Sequence, residues 1–239
     1  MSMPFSFWGF TPQSFAGLQW WLDSARGVTI STGVSQWNDN SGFNRNAIQA
    51  STPNQPIFSA GAFGSYPGIG FNGATTFMSA GITVNQFFNA NNTDTTIAVV
   101  FRSTAVLNEG CMLGSEAAQP NNWVGIYAPY STTATTLWDA GPFSTCRLTE
   151  SITWPTSSVG VFTRSGNTSS IYKNNVASSG AVSGNYASGT NVPTIGAQDG
   201  AVFFNGVIAE ICAWNVALTA NQISILSRYW GVKYGITVS

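Results

Sequence analysis

Val207-Ile208-Ala209-Glu210-Ile211-Cys212-Ala213-Trp214 is the stretch that decides the fold class. It is a short apolar run, rich in β-branched and aromatic side chains, of the kind that fits a pleated and buried surface. Three others read the same way: Thr95-Thr96-Ile97-Ala98-Val99-Val100-Phe101, Ser158-Val159-Gly160-Val161-Phe162-Thr163 and Ser170-Ile171-Tyr172-Lys173. Turn signals separate them, at Ser165-Gly166-Asn167, Asn174-Asn175 and Asp199-Gly200. Short apolar runs punctuated by Gly, Asn, Ser and Pro are the pattern of an all-β sandwich or barrel. There is no linker and no internal repeat, and 239 residues suffice for one large sandwich with a sizeable core.

One helix interrupts the strand pattern near the C-terminus, from about Ala220 to Trp230. Thr219 is placed to cap it, with Gln222 as the capping-box partner three residues on. Ile223, Leu226 and Trp230 share one face, and Gly231 stands where a left-handed C-cap is expected. The other end of the chain is an apolar arm, residues 1–16. Phe5, Phe7, Trp8 and Phe10 crowd into it without a charge between them. Such a segment must fold back or dock into a neighbour, and docking is the preferred expectation.

Outward from these elements, two groups of motifs form a resemblance. The first is Gly17-Leu18-Gln19-Trp20-Trp21-Leu22-Asp23, then Val34-Ser35-Gln36-Trp37-Asn38-Asp39-Asn40-Ser41-Gly42, Arg45-Asn46-Ala47-Ile48-Gln49, Pro56 and Pro67-Gly68-Ile69-Gly70-Phe71-Asn72-Gly73. The second is Phe204-Asn205-Gly206-Val207-Ile208-Ala209-Glu210-Ile211, the capped helix, and Tyr229-Trp230-Gly231-Val232-Lys233-Tyr234-Gly235-Ile236. In this order they resemble laminin G-like, concanavalin A-like jelly-roll domains, of the kind also found in virion proteins of tailed phages. The resemblance implies an antiparallel two-sheet jelly-roll sandwich, six or seven strands per sheet, with one short C-terminal helix and with termini close together. It assigns residues 17–239 to the jelly roll. It does not assign a function, because lectins, glycosidases, adhesion modules and viral structural proteins share the fold.

Composition narrows the rest. Charged residues are 7% of the chain, against roughly 25% in an average soluble protein. Net charge is −1 with no basic patch, which argues against nucleic-acid partners and against adsorption to anionic membranes. Cys111, Cys146 and Cys212 are too few for a disulfide scaffold; three buried thiols are the preferred reading, and one disulfide with a free thiol is the alternative. The first residues lack the basic and long apolar regions of a signal peptide.

There is no histidine, which removes histidine bases, triads and metal ligands. Glycoside hydrolysis needs two carboxylates across the scissile bond, and no two of the nine acids lie within four positions of each other, which leaves only a pair assembled from distant strands as the alternative. The expectation is therefore a protein with no catalytic residues, no cofactor and no metal site. Calcium at Asp39 is kept as the rival to a turn in which that side chain bonds its own backbone. Alternation puts Glu210 on one face with Ile208, Cys212 and Trp214, tied to backbone amides or an arginine. Trp20, Trp21, Trp37, Trp214 and Trp230 sit in framework motifs and read as core. A glycan site is expected in the least patterned stretch, at Asn121, Asn122, Trp123, Tyr127 and Tyr130, on a loop-rich rim. Low charge, no signal peptide and the arm point to a non-enzymatic virion structural protein, a capsid decoration, head-fibre or tail-associated subunit. Its partners would be other virion proteins, copies of itself and a cell-surface glycan. The alternative is an extracellular carbohydrate-binding or adhesion module.

Overall fold

The computed structural model describes residues 9–88, 93–103, 110–115, 123–130, 135–152, 154, 157–184 and 189–239. In chain order the strands are β1 (Leu18–Asp23), β2 (Val28–Ile30), β3 (Val34–Trp37), β4 (Ala47–Ile48), β5 (Ile57–Phe63), β6 (Tyr66–Asn72), β7 (Met78–Ser79), β8 (Thr95–Ser103) and β9 (Cys111–Gly114). There follow β10 (Val124–Tyr127), β11 (Thr135–Ala140), β12 (Arg147–Ser151), β13 (Ser158–Ser165), β14 (Thr168–Lys173), β15 (Val176–Ala181), β16 (Thr194–Ile195) and β17 (Asn205–Trp214). A one-turn helix, α1 (Phe143–Cys146), joins β11 to β12, and α2 (Ala220–Tyr234) follows β17.

Among the described residues these strands form two sheets. One has eight strands, ordered β15-β14-β13-β8-β17-β6-β5, with β1 also paired to β17; the other has nine, ordered β12-β11-β10-β9-β16-β7-β4-β3-β2. The strand-to-strand ladders are antiparallel. Both sheets exceed the six or seven strands the resemblance implies. The surplus includes the two-residue strands β4, β7 and β16, which are too short to leave an alternation in the sequence.

Two of the expected turns owe their shape to left-handed residues. Asn174 (φ 47°) and Asn175 (φ 74°) close the β14–β15 hairpin between Lys173 and Val176. Asp199 (φ 49°) and Gly200 (φ 69°) make a second tight turn, in which Gln198 and Ala201 exchange both backbone bonds. Positive φ at both central residues matches the right-handed twist of the flanking strands.

The main core lies between the sheets and contains Trp20, Trp37, Ile69, Ile97, Val99, Phe101, Trp138, Phe162 and Ile211. A second apolar layer covers the outside of the eight-stranded sheet. There Trp21, Ala98, Val100, Cys212 and Trp214 meet Ile223, Leu226, Trp230 and Tyr234 of α2. β8 and β17 are therefore buried on both faces. This explains why residues 97–101 and 211–214 read as continuous apolar runs rather than alternating ones. All five framework tryptophans are buried, as are the three cysteines, which are free thiols.

α2 is capped as expected, Thr219 Oγ1 accepting from the Gln222 amide and Gln222 Oε1 from that of Thr219. It ends four residues later than expected. Gly235, not Gly231, is the left-handed cap (φ 65°), and Gly231 lies inside the helix. A side chain at Gly231 would meet the Ile236 carbonyl oxygen at 2.9 Å and Val238 at 3.1 Å. Glycine is needed there for close approach of the returning tail, not for its backbone angles.

Of the arm, Phe5, Phe7 and Trp8 lie outside the described residues. Phe10 packs against Phe15 and Tyr229, with ring centroids 5.2 and 5.0 Å apart, and Phe15 packs on Trp214. This part of the arm folds onto the α2 layer.

Candidate functional site

The outer face of the nine-stranded sheet carries a third, small cluster: Cys111, Trp123, Tyr127 and Leu137, with Tyr130 and Val202 packed on it. β10 supplies Tyr127 and its Gly125, and β11 supplies Leu137 and Asp139, adjacent through the Gly125↔Asp139 pairing. Gly125 forms the floor, since a side chain there would meet Trp123 Nε1 and Tyr127 Cε2 at 2.7 Å each. Its absence lets the two rings approach each other over the strand.

Asp139 is fully buried in this face. Arg147, at the start of β12, reaches it with two parallel bonds, Nε to Oδ1 and Nη2 to Oδ2, both 2.7 Å. Burial pushes the Asp139 carboxyl above the ordinary carboxylate range, while Arg147 pulls it back. The buried indole N–H of Trp123 makes no hydrogen bond of good geometry, yet lies near enough to favour the charged carboxylate. Arg147 gains the complementary rise, through its bonds to Asp139 and against its own desolvation. The Tyr127 hydroxyl donates to Gln198 Oε1. Burial raises the Tyr127 hydroxyl and the Cys111 thiol well above their ordinary values, so both stay protonated at neutral pH.

Over this buried layer lies a half-exposed one. Phe143 of α1 is 44% exposed, stands edge-to-face with Trp123 at 6.0 Å, and carries the Arg147 guanidinium 5.5 Å from its ring centre. The Arg147 side chain is 29% exposed. Tyr130 stands edge-on to Tyr127 at 5.5 Å. The surface therefore offers aromatic faces, guanidinium N–H donors and the Gln198 amide, held from below by Asp139, Trp123 and Tyr127. The structure brings Trp123, Tyr127 and Tyr130 together on this sheet face, with Trp123 and Tyr127 beneath the surface; Asn121 and Asn122 lie outside the described residues. Sequence reading missed Phe143, Arg147, Asp139 and Gln198. The alternation of Leu137 with Asp139, and the acid–base pair across the β11–β12 connection, were the available signals.

A second polar cluster sits under α2. β17 pairs with β6 up to Ile208 and with β1 from Glu210 onward, and the ladder is bulged between those two residues. The extra residue re-aims the strand. Ile208 thus faces the main core while Ala209, Cys212 and Trp214 face α2. This corrects the simple alternation that put Glu210 beside Ile208. Nor is its partner an arginine or a set of backbone amides. Glu210 accepts from the Trp21 indole (2.7 Å), the Tyr234 hydroxyl (2.7 Å) and Lys233 Nζ (2.8 Å). Lys233 also donates to Asp23 at 2.8 Å. Two carboxylates far apart in sequence thus share one ammonium, a pairing that spacing along the chain could not reveal. Lysine fills the gap between them. Burial raises the Glu210 carboxyl, and Lys233 opposes the rise. Burial alone would lower Lys233, but Glu210 and Asp23 together hold it above its ordinary value.

Asp39 is a turn residue. It accepts from the Ser41 and Arg45 amides, from the Ser41 hydroxyl and from the Trp21 amide. Among the described residues no three His, Cys, Asp or Glu side chains converge where they could hold a metal ion, and no helix is long and apolar enough to cross a membrane.

No protein-family model matches the sequence, and no curated protein matches it. Solved structures do. Domain 4 of a GH43 extracellular arabinanase from Geobacillus stearothermophilus, in complex with arabinotriose, is 15% identical; the match covers 88% of this chain and 98% of that domain with a TM-score of 0.63. A mutant Trypanosoma rangeli sialidase displaying trans-sialidase activity is 17% identical, with 94% of this chain and 34% of that one covered and a TM-score of 0.60. A Streptococcus pneumoniae sialidase is 16% identical, with 66% and 27% covered and a TM-score of 0.52. This chain spans almost all of the arabinanase domain and about a third of the trypanosomal sialidase. The shared property is the β-sandwich fold. These comparisons bring no link to laminin G domains or to phage particles. They also overturn the expectation of a non-enzyme: the similar chains belong to glycoside hydrolases and sialidases. That expectation rested on acid spacing along the chain, which the Asp23–Glu210 pairing shows to be an unsafe guide.

Proposed function

We propose that this chain is a carbohydrate-binding β-sandwich domain of an extracellular, glycan-acting protein, and that it holds glycan on the outer face of its nine-stranded sheet. The observation that carries the reading is the patch itself. Phe143 and Tyr130 give apolar ring faces for sugar C–H groups. Arg147 and Gln198 give hydrogen-bonding groups for hydroxyls, and Asp139, Trp123 and Tyr127 fix them from below. Ring faces beside hydrogen-bonding groups on a rigid support match the mixed apolar and hydroxyl surface of a sugar ring. The arabinanase domain, which matches over nearly its whole length and binds arabinotriose, supports the ligand class.

The test is calorimetric titration of the full chain with arabinotriose, xylotriose, maltotriose and 3′-sialyllactose. Saturable binding is expected, weakened at least about tenfold by Phe143→Ala with an unchanged melting temperature, since one tenfold step is only about 1.4 kcal/mol. Binding unaffected by Phe143→Ala and Arg147→Ala would remove the patch from the reading. Absence of binding to all four sugars would overturn it. The same incubations, assayed for new reducing ends or free sialic acid, report whether bound glycan is also cleaved.

A further inference from the structure

On the opposite side of the sandwich, a cleft of about 360 Å³ opens between the end of β1 and the last turns of α2. That volume is at the small end of ligand sites, about 300–1,000 Å³. Asp23 and Lys233 form its polar end, Arg26 its rim, and Tyr66, Tyr229 and Val232 its sides. Val232 is 63% exposed although it lies on the helix that closes the outer layer.

The polar end is rigid. Lys233 spends one N–H on Asp23 and one on Glu210, and Glu210 is held from behind by Trp21 and Tyr234. Asp23 Oδ1 accepts from the Ala25 amide and Oδ2 from Lys233. The Asp23 side chain is only 1% exposed and that of Lys233 11%, so the polar groups that this end presents to the cleft are the Lys233 ammonium and the Arg26 guanidinium. Arg26 lies 3.5 Å from Asp23, with 56% of its side chain exposed.

The charges cancel: Asp23 and Glu210 against Lys233 and Arg26. A cation entering would meet an ammonium and a guanidinium, and an anion would find their attraction offset by the two carboxylates buried behind them. A neutral ring with one apolar face and an edge of hydroxyls meets neither penalty. Its apolar face suits the tyrosines and Val232, and its hydroxyl edge suits the Lys233 and Arg26 donors.

We infer that this cleft is a second glycan site, taking one neutral pentose or hexose ring, on the face opposite the Phe143–Arg147 patch. The inference rests on the glycan-binding reading above and adds a second point of attachment. The domain then holds two sugars at once, one on each side of the sandwich.

The experiment is nuclear magnetic resonance of the isotope-labelled full chain, titrated with arabinotriose, xylotriose, maltotriose and 3′-sialyllactose. A neutral trisaccharide is expected to shift the amides of Ala25, Arg26 and Val232 separately from those around Arg147. Val232→Trp fills the cleft from an exposed position, and Arg26→Ala removes the rim donor. Each is expected to lower affinity at the Ala25–Arg26–Val232 signals at least tenfold while leaving the Arg147 signals responsive. Shifts confined to the Arg147 patch would overturn this inference and leave the glycan-binding reading standing. Shifts at Arg26 caused by 3′-sialyllactose alone would overturn the neutral-ring assignment. No shifts with any sugar would overturn both.

Discussion

Lys233 is the residue on which the polar cluster under α2 depends, because it neutralises two buried carboxylates at once. Removing one member of a buried ion pair leaves charge without compensation and costs about 3–5 kcal/mol. Lys233→Met is expected to lose that much at pH 7 in denaturant titrations. The loss should shrink in acid. A carboxyl whose folded pKa is raised, as that of Glu210 is, stabilises the fold below its unfolded value near 4.5 and loses that contribution as pH rises through the folded value. Without Lys233 the rise is larger, so the melting temperature of the variant should climb as pH falls from 7 toward 4.5. The wild type has an alkaline counterpart. Lys233 is held above its ordinary 10.5, so its contribution is complete below that pH and is lost as pH rises through the folded value. Tyr234, also raised by burial, acts in the same direction. Melts between pH 9 and 12 should show a steep fall in the wild type that is smaller in Lys233→Met.

At the scale of the element, α2 combines a legible start with an end that only packing explains. Thr219→Ala is expected to cost about 0.5–2 kcal/mol through the lost cap. Leu226→Ala is expected to cost about 2–5 kcal/mol, because Leu226 is fully buried against the eight-stranded sheet. Gly231→Ala is the more discriminating change. In an exposed helix interior it would stabilise by about 1 kcal/mol. Here the added carbon meets the Ile236 carbonyl oxygen at 2.9 Å, so the midpoint of chemical denaturation is expected to fall. A rise would mean that residues Ile236–Val238 do not return over the helix. β17 makes the same point among strands. Its apolar content marks it as a strand from sequence, but the bulge that turns Glu210 toward α2 leaves no mark there.

For the whole molecule, the arm is where the boundary between domain and appendage is tested. Phe15 is buried between Phe10 and Trp214, so residues 9–16 contribute to the outer apolar layer. Phe15→Ala is expected to cost about 3–5 kcal/mol, the range for a buried phenylalanine. An unchanged melting temperature would restore the arm as an appendage whose use lies in assembly alone.

The sequence by itself determined the all-β class, the Asn174-Asn175 and Asp199-Gly200 turns, the capped helix and the buried tryptophans. Each of these depends on neighbours a few residues apart, where β-branched content, positive-φ turn residues and helical spacing act directly. Only the tertiary structure decided that β8 and β17 are covered on both faces, since that depends on where α2 comes to rest. Only it decided the candidate site as well. Asp23, Glu210 and Lys233 come from the first strand, the last strand and the last helix. Asp139 and Arg147 meet across two strands joined by α1. Long-range pairing brings such groups within 3 Å of one another, and a search for acids close together along the chain passes over them.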